Sequence, residues 1–148
     1  MSATGIVFRG GCQCDAIRYE IAAEPMFAGQ CQCRDCQHET GGGHSNFMAF
    51  PADAVKLTGT PRFYELKADS GSTMRRGFCG TCGSPVVAAT SGLPGVTTIT
   101  AGSLDDPNVF KPEFVCYTSR GHTWDLVDPA LPSFPKMPGD VAQSARST

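Results

Sequence analysis

Apolar and polar residues alternate in short runs along this chain. Between Asp15 and Ile21, the side chains of Ile17, Tyr19 and Ile21 fall on one side and those of Arg18 and Glu20 on the other, the two-residue period of a half-buried β-strand. Ser45 to Phe50, Arg62 to Leu66, Thr73 to Phe78, Pro85 to Thr90, Val96 to Ala101 and Pro112 to Thr118 also read as strands. They are divided by turn clusters such as Gly41-Gly42-Gly43, Thr58-Gly59-Thr60-Pro61, Ser70-Gly71-Ser72 and Ser91-Gly92-Leu93-Pro94-Gly95. No window sustains a helical period, and short helical turns are expected only after Cys33, over Ala52 to Val55 and near Trp124. The pattern predicts a mainly β protein with antiparallel sheets and little helix.

The chain of 148 residues suits one domain with a real core. No repeat or second domain is visible. Residues 1–134 read as the folded unit, and residues 135–148, beginning Pro-Lys-Met-Pro-Gly-Asp, as a flexible tail. A charged fraction of only 18% with 17 Gly and 11 Pro fits a turn-rich β protein. The net charge of −2, with no basic run, argues against a nucleic-acid partner. The segment Met1 to Phe8 has neither the basic nor the apolar part of a signal peptide, and no stretch approaches the ~18 apolar residues of a membrane span. A cytoplasmic location without membrane contact is therefore expected. The sequence carries no signal of oligomeric state.

Eight cysteines change the picture. Seven are clustered as Cys12-x-Cys14, Cys31-x-Cys33-x-x-Cys36 and Cys79-x-x-Cys82, and Cys116 stands alone. Near neighbours in sequence are poorly placed for a disulfide torsion but well placed to turn their sulfurs toward one tetrahedral zinc. A cytoplasmic chain keeps such thiols reduced, which also favours metal over disulfides. The Cys79-x-x-Cys82-Gly unit resembles half of a zinc ribbon, and its partners are either Cys12 and Cys14 or two of Cys31, Cys33 and Cys36. Spacing leaves that choice open. The pairing with Cys12 and Cys14 is the economical one, because it leaves three adjacent cysteines for a second metal with a free position.

In order along the chain come Gly11-Cys12-Gln13-Cys14, Cys31-Gln32-Cys33-Arg34-Asp35-Cys36, Gly77-Phe78-Cys79-Gly80-Thr81-Cys82-Gly83-Ser84, Gly102-Ser103-Leu104-Asp105-Asp106-Pro107, Trp124 and Leu131-Pro132-Ser133-Phe134. With these motifs the chain resembles the glutathione-dependent formaldehyde-activating enzymes, a family that also contains the centromere protein V domain. The resemblance implies antiparallel sheets meeting like a tent and clasped by zinc. It implies a structural zinc on Cys12, Cys14, Cys79 and Cys82 and a catalytic zinc on Cys31, Cys33 and Cys36, hence two zinc ions per chain. A three-thiolate site is more exposed to metal loss and oxidation than a closed one, so the three-cysteine site is the one expected to stand partly empty. The implied reaction is that of a carbon–sulfur lyase: formaldehyde, or another small aldehyde, joins the thiol of glutathione to give S-hydroxymethylglutathione.

Neighbouring residues supply candidates for the remaining roles. His44 follows the glycine run and is a candidate fourth ligand or proton shuttle, against the simpler role of an exposed loop histidine. His122 reads as a packing or surface residue and His38 as a solvated turn residue. Arg34, Arg75, Arg76 and Arg120 are candidates for the carboxylates of glutathione, since guanidinium forks match carboxylates; for Arg34 a solubility or charge-compensating role is preferred. Asp105-Asp106 is expected to cap a short turn. Cys116 reads as a buried small hydrophobe on a strand. Two other functions compete with the lyase: a non-catalytic, zinc-stabilised binding module, and a thiol oxidoreductase using Cys116.

Overall fold

The computed structural model of the protein describes residue 5 and residues 7–138. Ten strands and one α-helix follow in the order β1 (Phe8–Gly11), β2 (Arg18–Ile21), β3 (Phe27–Cys31), α1 (Arg34–Thr40), β4 (Ser45–Pro51), β5 (Val55–Thr58), β6 (Arg62–Lys67), β7 (Thr73–Phe78), β8 (Pro85–Thr90), β9 (Val96–Thr100) and β10 (Val115–Cys116). They form a three-stranded sheet in the order β1-β2-β5 and a seven-stranded sheet in the order β10-β3-β4-β9-β8-β7-β6. The fold is mainly β, as the alternating pattern predicts.

Side-chain alternation decides what each face of the large sheet carries. Ala28, Met48 and Ile99 are partners across β3, β4 and β9, and they pack with Phe50, Val86 and Val87 against Ile17, Tyr19 and Ile21 of the small-sheet segment. Those three residues are at most 1% exposed. The outward Arg18 and Glu20 of the same segment pair with Asp105 and Arg9. Phe27, Cys31 and Ala49 point to the opposite face, where they pack with Val96, Phe114 and Cys116. The two faces thus hold two apolar clusters, one between the sheets and one outside them.

Some elements depart from the sequence pattern for identifiable reasons. The strand expected from Asp15 begins only at Arg18, because Asp15 has a left-handed backbone (φ 66°) in the turn that precedes it. The strand expected over Pro112 to Thr118 contracts to Val115–Cys116, since Tyr117 is also left-handed (φ 56°). This short strand runs parallel to β3, so the large sheet is mixed and not wholly antiparallel. No helix forms near Trp124; a 3-10 turn at Thr118–Arg120 stands upstream instead. The turns expected after Cys33 and over Ala52 to Val55 are α1 and a 3-10 turn at Ala52–Ala54. Of the expected tail, Pro135 and Lys136 accept hydrogen bonds from Ser119 Oγ (2.7 Å) and Tyr117 N (3.4 Å). Residues 139–148 lie outside the described residues.

Candidate metal centres and the cleft beside them

The chain leaves β1 into a tight turn that carries Cys12 and Cys14, and leaves β7 into another that carries Cys79 and Cys82. The four sulfurs lie within 4.8 Å of one another. Cys14 Sγ is 3.7 Å from both Cys12 Sγ and Cys79 Sγ. A tetrahedron with Zn–S distances of about 2.3 Å has an edge of about 3.8 Å, so this spacing fits a zinc ion without rearrangement. Amides point at the sulfurs: Ile17 N donates to Cys12 Sγ (3.2 Å), and Thr81 N and Cys82 N donate to Cys79 Sγ (3.3 and 3.4 Å). Such donors favour thiolates. The Ser84 hydroxyl, with its amide, holds the Cys82 thiol down at about 5, and the amides of Cys82 and Thr81 lower Cys79. Cys12 and Cys79 are buried, while Cys14 and Cys82 are exposed. The group joins the small sheet to the far side of the large one.

The second group is local. Cys31 ends β3, Cys33 caps α1 and Cys36 sits in its first turn. Cys33 Sγ accepts from Cys36 N at 3.3 Å. Helix α1 closes at Gly41, whose left-handed backbone (φ 73°) suits glycine. The three sulfurs lie within 4.8 Å of one another, and among the described residues no other His, Cys, Asp or Glu joins that group. They sit in the outer apolar cluster, with Phe47, Tyr117 and Phe134 packed against it. The thiols of Cys31 and Cys36 donate to Cys33 and lower it to about 3, while the Cys116 thiol beside Cys31, and then that of Cys33, push Cys31 up. The sulfur-only donor set of the cluster suits zinc. All eight cysteines are free, so no disulfide framework exists.

Cys116 is 0% exposed and is the register partner of Cys31 across the parallel pair. Its burial matches the expected packing role.

His44 lies on the other face of the sheet from Cys31. Its Nδ1 is 2.8 Å from Asp125 Oδ1, and its Nε2 is 3.4 Å from Gln30 Nε2. With Nδ1–H donating to Asp125, the Nε2 lone pair accepts from Gln30, and neither nitrogen is free for a metal. His44 therefore takes no place in the three-sulfur group. It is neither an exposed loop residue nor a ligand; it anchors a loop. Asp125 also accepts from Gln32 Nε2 (3.0 Å) and stands so close to Gly43 that a Cβ there would collide with it. Gln37, 5% exposed, donates to the carbonyls of Gln32 and Arg120. His122 stacks on Trp124 with centroids 5.1 Å apart and reaches Gln37 Oε1 at 3.0 Å, a packing role as expected.

The arginines separate. Arg34 is held by Gln37 and His38 on its own helix. Arg120 makes an exposed pair with Asp69. Arg75 lies over the Phe63 ring (3.5 Å) and near Glu65. Arg76, its neighbour on β7, points the opposite way, toward α1: its Nη2 donates to Asp35 O (2.5 Å), and its Nε is 3.9 Å from Glu39 Oε2. Both side chains are 15% exposed. Burial raises the Glu39 carboxyl, and Arg76 opposes that rise. Asp106 caps the short turn at Pro107–Val109 by accepting from Asn108 N (3.1 Å), whereas Asp105 binds Arg18 instead of capping. Nothing in the sequence marks Gln37, Glu39 or Asp125 as neighbours of the site. Only Gln32, a polar residue inside a cysteine motif, offered a local signal.

Comparison with known proteins adds three findings. The family model described as glutathione-dependent formaldehyde-activating enzyme matches residues 7–120. No curated protein matches the chain in sequence. A crystal structure of a Rhodobacter sphaeroides protein, determined as a structural-genomics target, superposes with a TM-score of 0.55 at 15% identity, covering 85% of this chain and 98% of that one. That likeness concerns the fold alone.

Proposed function

The chain belongs to the glutathione-dependent formaldehyde-activating enzyme family, and from that premise we propose that Cys31, Cys33 and Cys36 hold an open zinc site at which a small aldehyde is joined to a thiol. Cys12, Cys14, Cys79 and Cys82 hold the second, structural zinc. The observation that carries this reading is the difference in ligand number: one cysteine group is complete at four, the other stops at three. Structural zinc sites close with four protein ligands, whereas catalytic ones keep a position for water or substrate.

A zinc ion on three thiolates would supply a Lewis acid and a free position at which a substrate thiol gives up its proton more readily. The protein does the rest by placement. The aromatic side chains packed around Cys31, Cys33 and Cys36 keep bulk water from one side, and the N–H of Cys36 offsets part of the charge on Cys33. In the reaction the substrate sulfur attacks the aldehyde carbon. The new C–S bond forms as the C=O π bond opens, and the proton lost by the thiol ends on the alkoxide, giving S-hydroxymethylglutathione from formaldehyde and glutathione without other reactants. Held proximity accounts for much of the rate, since the addition already proceeds in water.

The test is exchange between formaldehyde and glutathione, followed by NMR exchange spectroscopy. The native protein is expected to accelerate exchange above the buffer rate, and Cys33→Ser to return it to that rate. Equal rates for the two proteins rule the reading out.

A further inference from the structure

We infer that the cleft between α1 and the β6–β7 hairpin, built around Arg76 and Glu39, is where the thiol substrate is recognised, and that it takes a zwitterionic amino-acid end: carboxylate on Arg76, ammonium on Glu39. The inference rests on the thiol-transfer reading above and adds to it the chemistry that selects the thiol.

The cleft has a volume of about 200 Å³, with Arg76 and Glu39 in its wall, Tyr64 and Phe78 beside them and the Gly83–Pro85 turn at one end. Two features make it more than a surface dent. First, the guanidinium is largely buried yet only one of its nitrogens, Nη2, has a hydrogen-bond acceptor, the carbonyl of Asp35. Nε stands 3.9 Å from Glu39, beyond hydrogen-bond range. Among the described residues the only fully enclosed side-chain polar atom without a partner is Gln30 Oε1, so the Arg76 nitrogens without an acceptor are not sealed from solvent, and Arg76 lines the cleft. A guanidinium fork with free donors in a half-buried site matches a carboxylate. Second, Glu39 brings an opposite charge to the same wall, so a ligand bearing only a carboxylate would be repelled from it and one bearing both charges would not.

Position links the cleft to the sulfurs. Glu39 lies three residues after Cys36, on the same side of α1. The Asp35 carbonyl that holds Arg76 lies between Cys33 and Cys36 in sequence. A thiol whose amino-acid end fills the cleft would therefore have its sulfur close to the three-cysteine group. The γ-glutamyl end of glutathione has both charges, and 2-mercaptoethanol has neither.

The test uses S-methylglutathione, a thioether that cannot add to an aldehyde, titrated calorimetrically into zinc-loaded native protein, Arg76→Gln, Arg76→Lys and Glu39→Gln, with zinc per chain read on the same samples. Native protein is expected to bind it. Arg76→Gln weakens binding at least about tenfold, the scale of a lost half-buried charge pair, and Arg76→Lys restores part of it. A second ligand, the deamino analogue of S-methylglutathione that lacks the ammonium group, is expected to bind native protein more weakly than S-methylglutathione and to bind Glu39→Gln as well as S-methylglutathione does. Equal binding by native protein and Arg76→Gln, or no binding by native protein, overturns the inference. So does loss of zinc in both Arg76 variants with no discrimination between the two ligands, because Arg76 would then only anchor α1. If these binding differences appear while formaldehyde exchange is not accelerated, the cleft stands and the proposed reaction falls. If exchange is accelerated and binding is unaffected by the variants, the reverse holds.

Discussion

The two cysteine groups differ in almost every respect except their element. The four-cysteine group spans 65 residues between Cys14 and Cys79, ties β1 to β7, and contributes Cys12 and Cys79 to the core between the sheets. The three-cysteine group is contained within six residues, Cys31 to Cys36, at the strand end and helix start on the opposite face. Long-range ligands convert metal affinity into fold stability, because the unfolded chain cannot gather them. Local ligands convert it into a site that the fold tolerates losing. On the proposed reading, geometry and count divide the labour: the first group would hold two sheets together, and the second presents sulfur in an aromatic setting next to a charged cleft.

The largest effect that would break this contrast is expected at Cys82. Cys82→Ser removes one ligand of a site whose metal is worth about 10–16 kcal/mol in comparable small domains, as much as the whole stability of a typical fold at about 5–15 kcal/mol. The variant should show no cooperative thermal transition by circular dichroism. A cooperative transition near that of the native protein would mean that the clasp is dispensable.

Next in size is Cys36→Ser. Metal analysis should give two zinc ions per chain for the native protein and one for the variant, matching the two groups. The variant should stay folded with a loss of no more than about 3 kcal/mol in urea unfolding, the ordinary range for one substitution. An unfolded variant would erase the distinction between the groups.

The smallest effect concerns Arg18 and Asp105, whose guanidinium and carboxylate meet at 2.9 and 2.5 Å between β2 and the segment after β9. Both side chains are at least a third exposed (35% and 53%), so Asp105→Asn should cost at most about 1 kcal/mol at neutral pH with both metals retained. The hydrogen bond from Arg18 lowers the Asp105 carboxyl below its ordinary value of 3.8. A depressed folded-state value means that the contribution is complete above the unfolded value and fades as pH falls through the folded one. Near pH 7 the contribution is complete, so the difference between native protein and variant is to be measured there and should shrink in added salt.

Much of this division was legible in the chain. Short apolar–polar runs bounded by turn clusters found β2, β4 and the run from β6 to β9, and the alternation is cleanest in β2, whose Tyr19 and Ile21 face the core while Arg18 and Glu20 face outward. It missed β3, where Phe27, Ala28 and Gly29 are all buried and no polar side remains to mark the period. It missed β5 because Val55 to Thr58 is mostly exposed, and it could not reveal that β10 runs parallel to a strand 85 residues earlier. Cysteine spacing marked the three-cysteine group and the two halves of the other, while the joining of Cys12 and Cys14 to Cys79 and Cys82, 65 residues apart at their nearest, rested on economy and the family resemblance; only the local clusters were written in the chain. The surroundings were not, because register decides them. Arg75 and Arg76 look alike in sequence, yet adjacency on β7 sends one over Phe63 and the other toward α1. His44 looked like a ligand because it is near the cysteines along the chain; the same alternation that places Cys31 on one face places His44 on the other.

The sequence separation of the two groups also fixes an order of events in time. Cys31, Cys33 and Cys36 need only a short loop to close, which small chains do in about 10–100 ns, and all three are made before β7 exists. The four-cysteine site has to wait until Cys79 and Cys82 have been synthesised and β7 has found its neighbours, the slow kind of contact that distant pairing entails. During synthesis, then, the nascent chain can gather the three sulfurs proposed for chemistry first, and the four proposed as a clasp last.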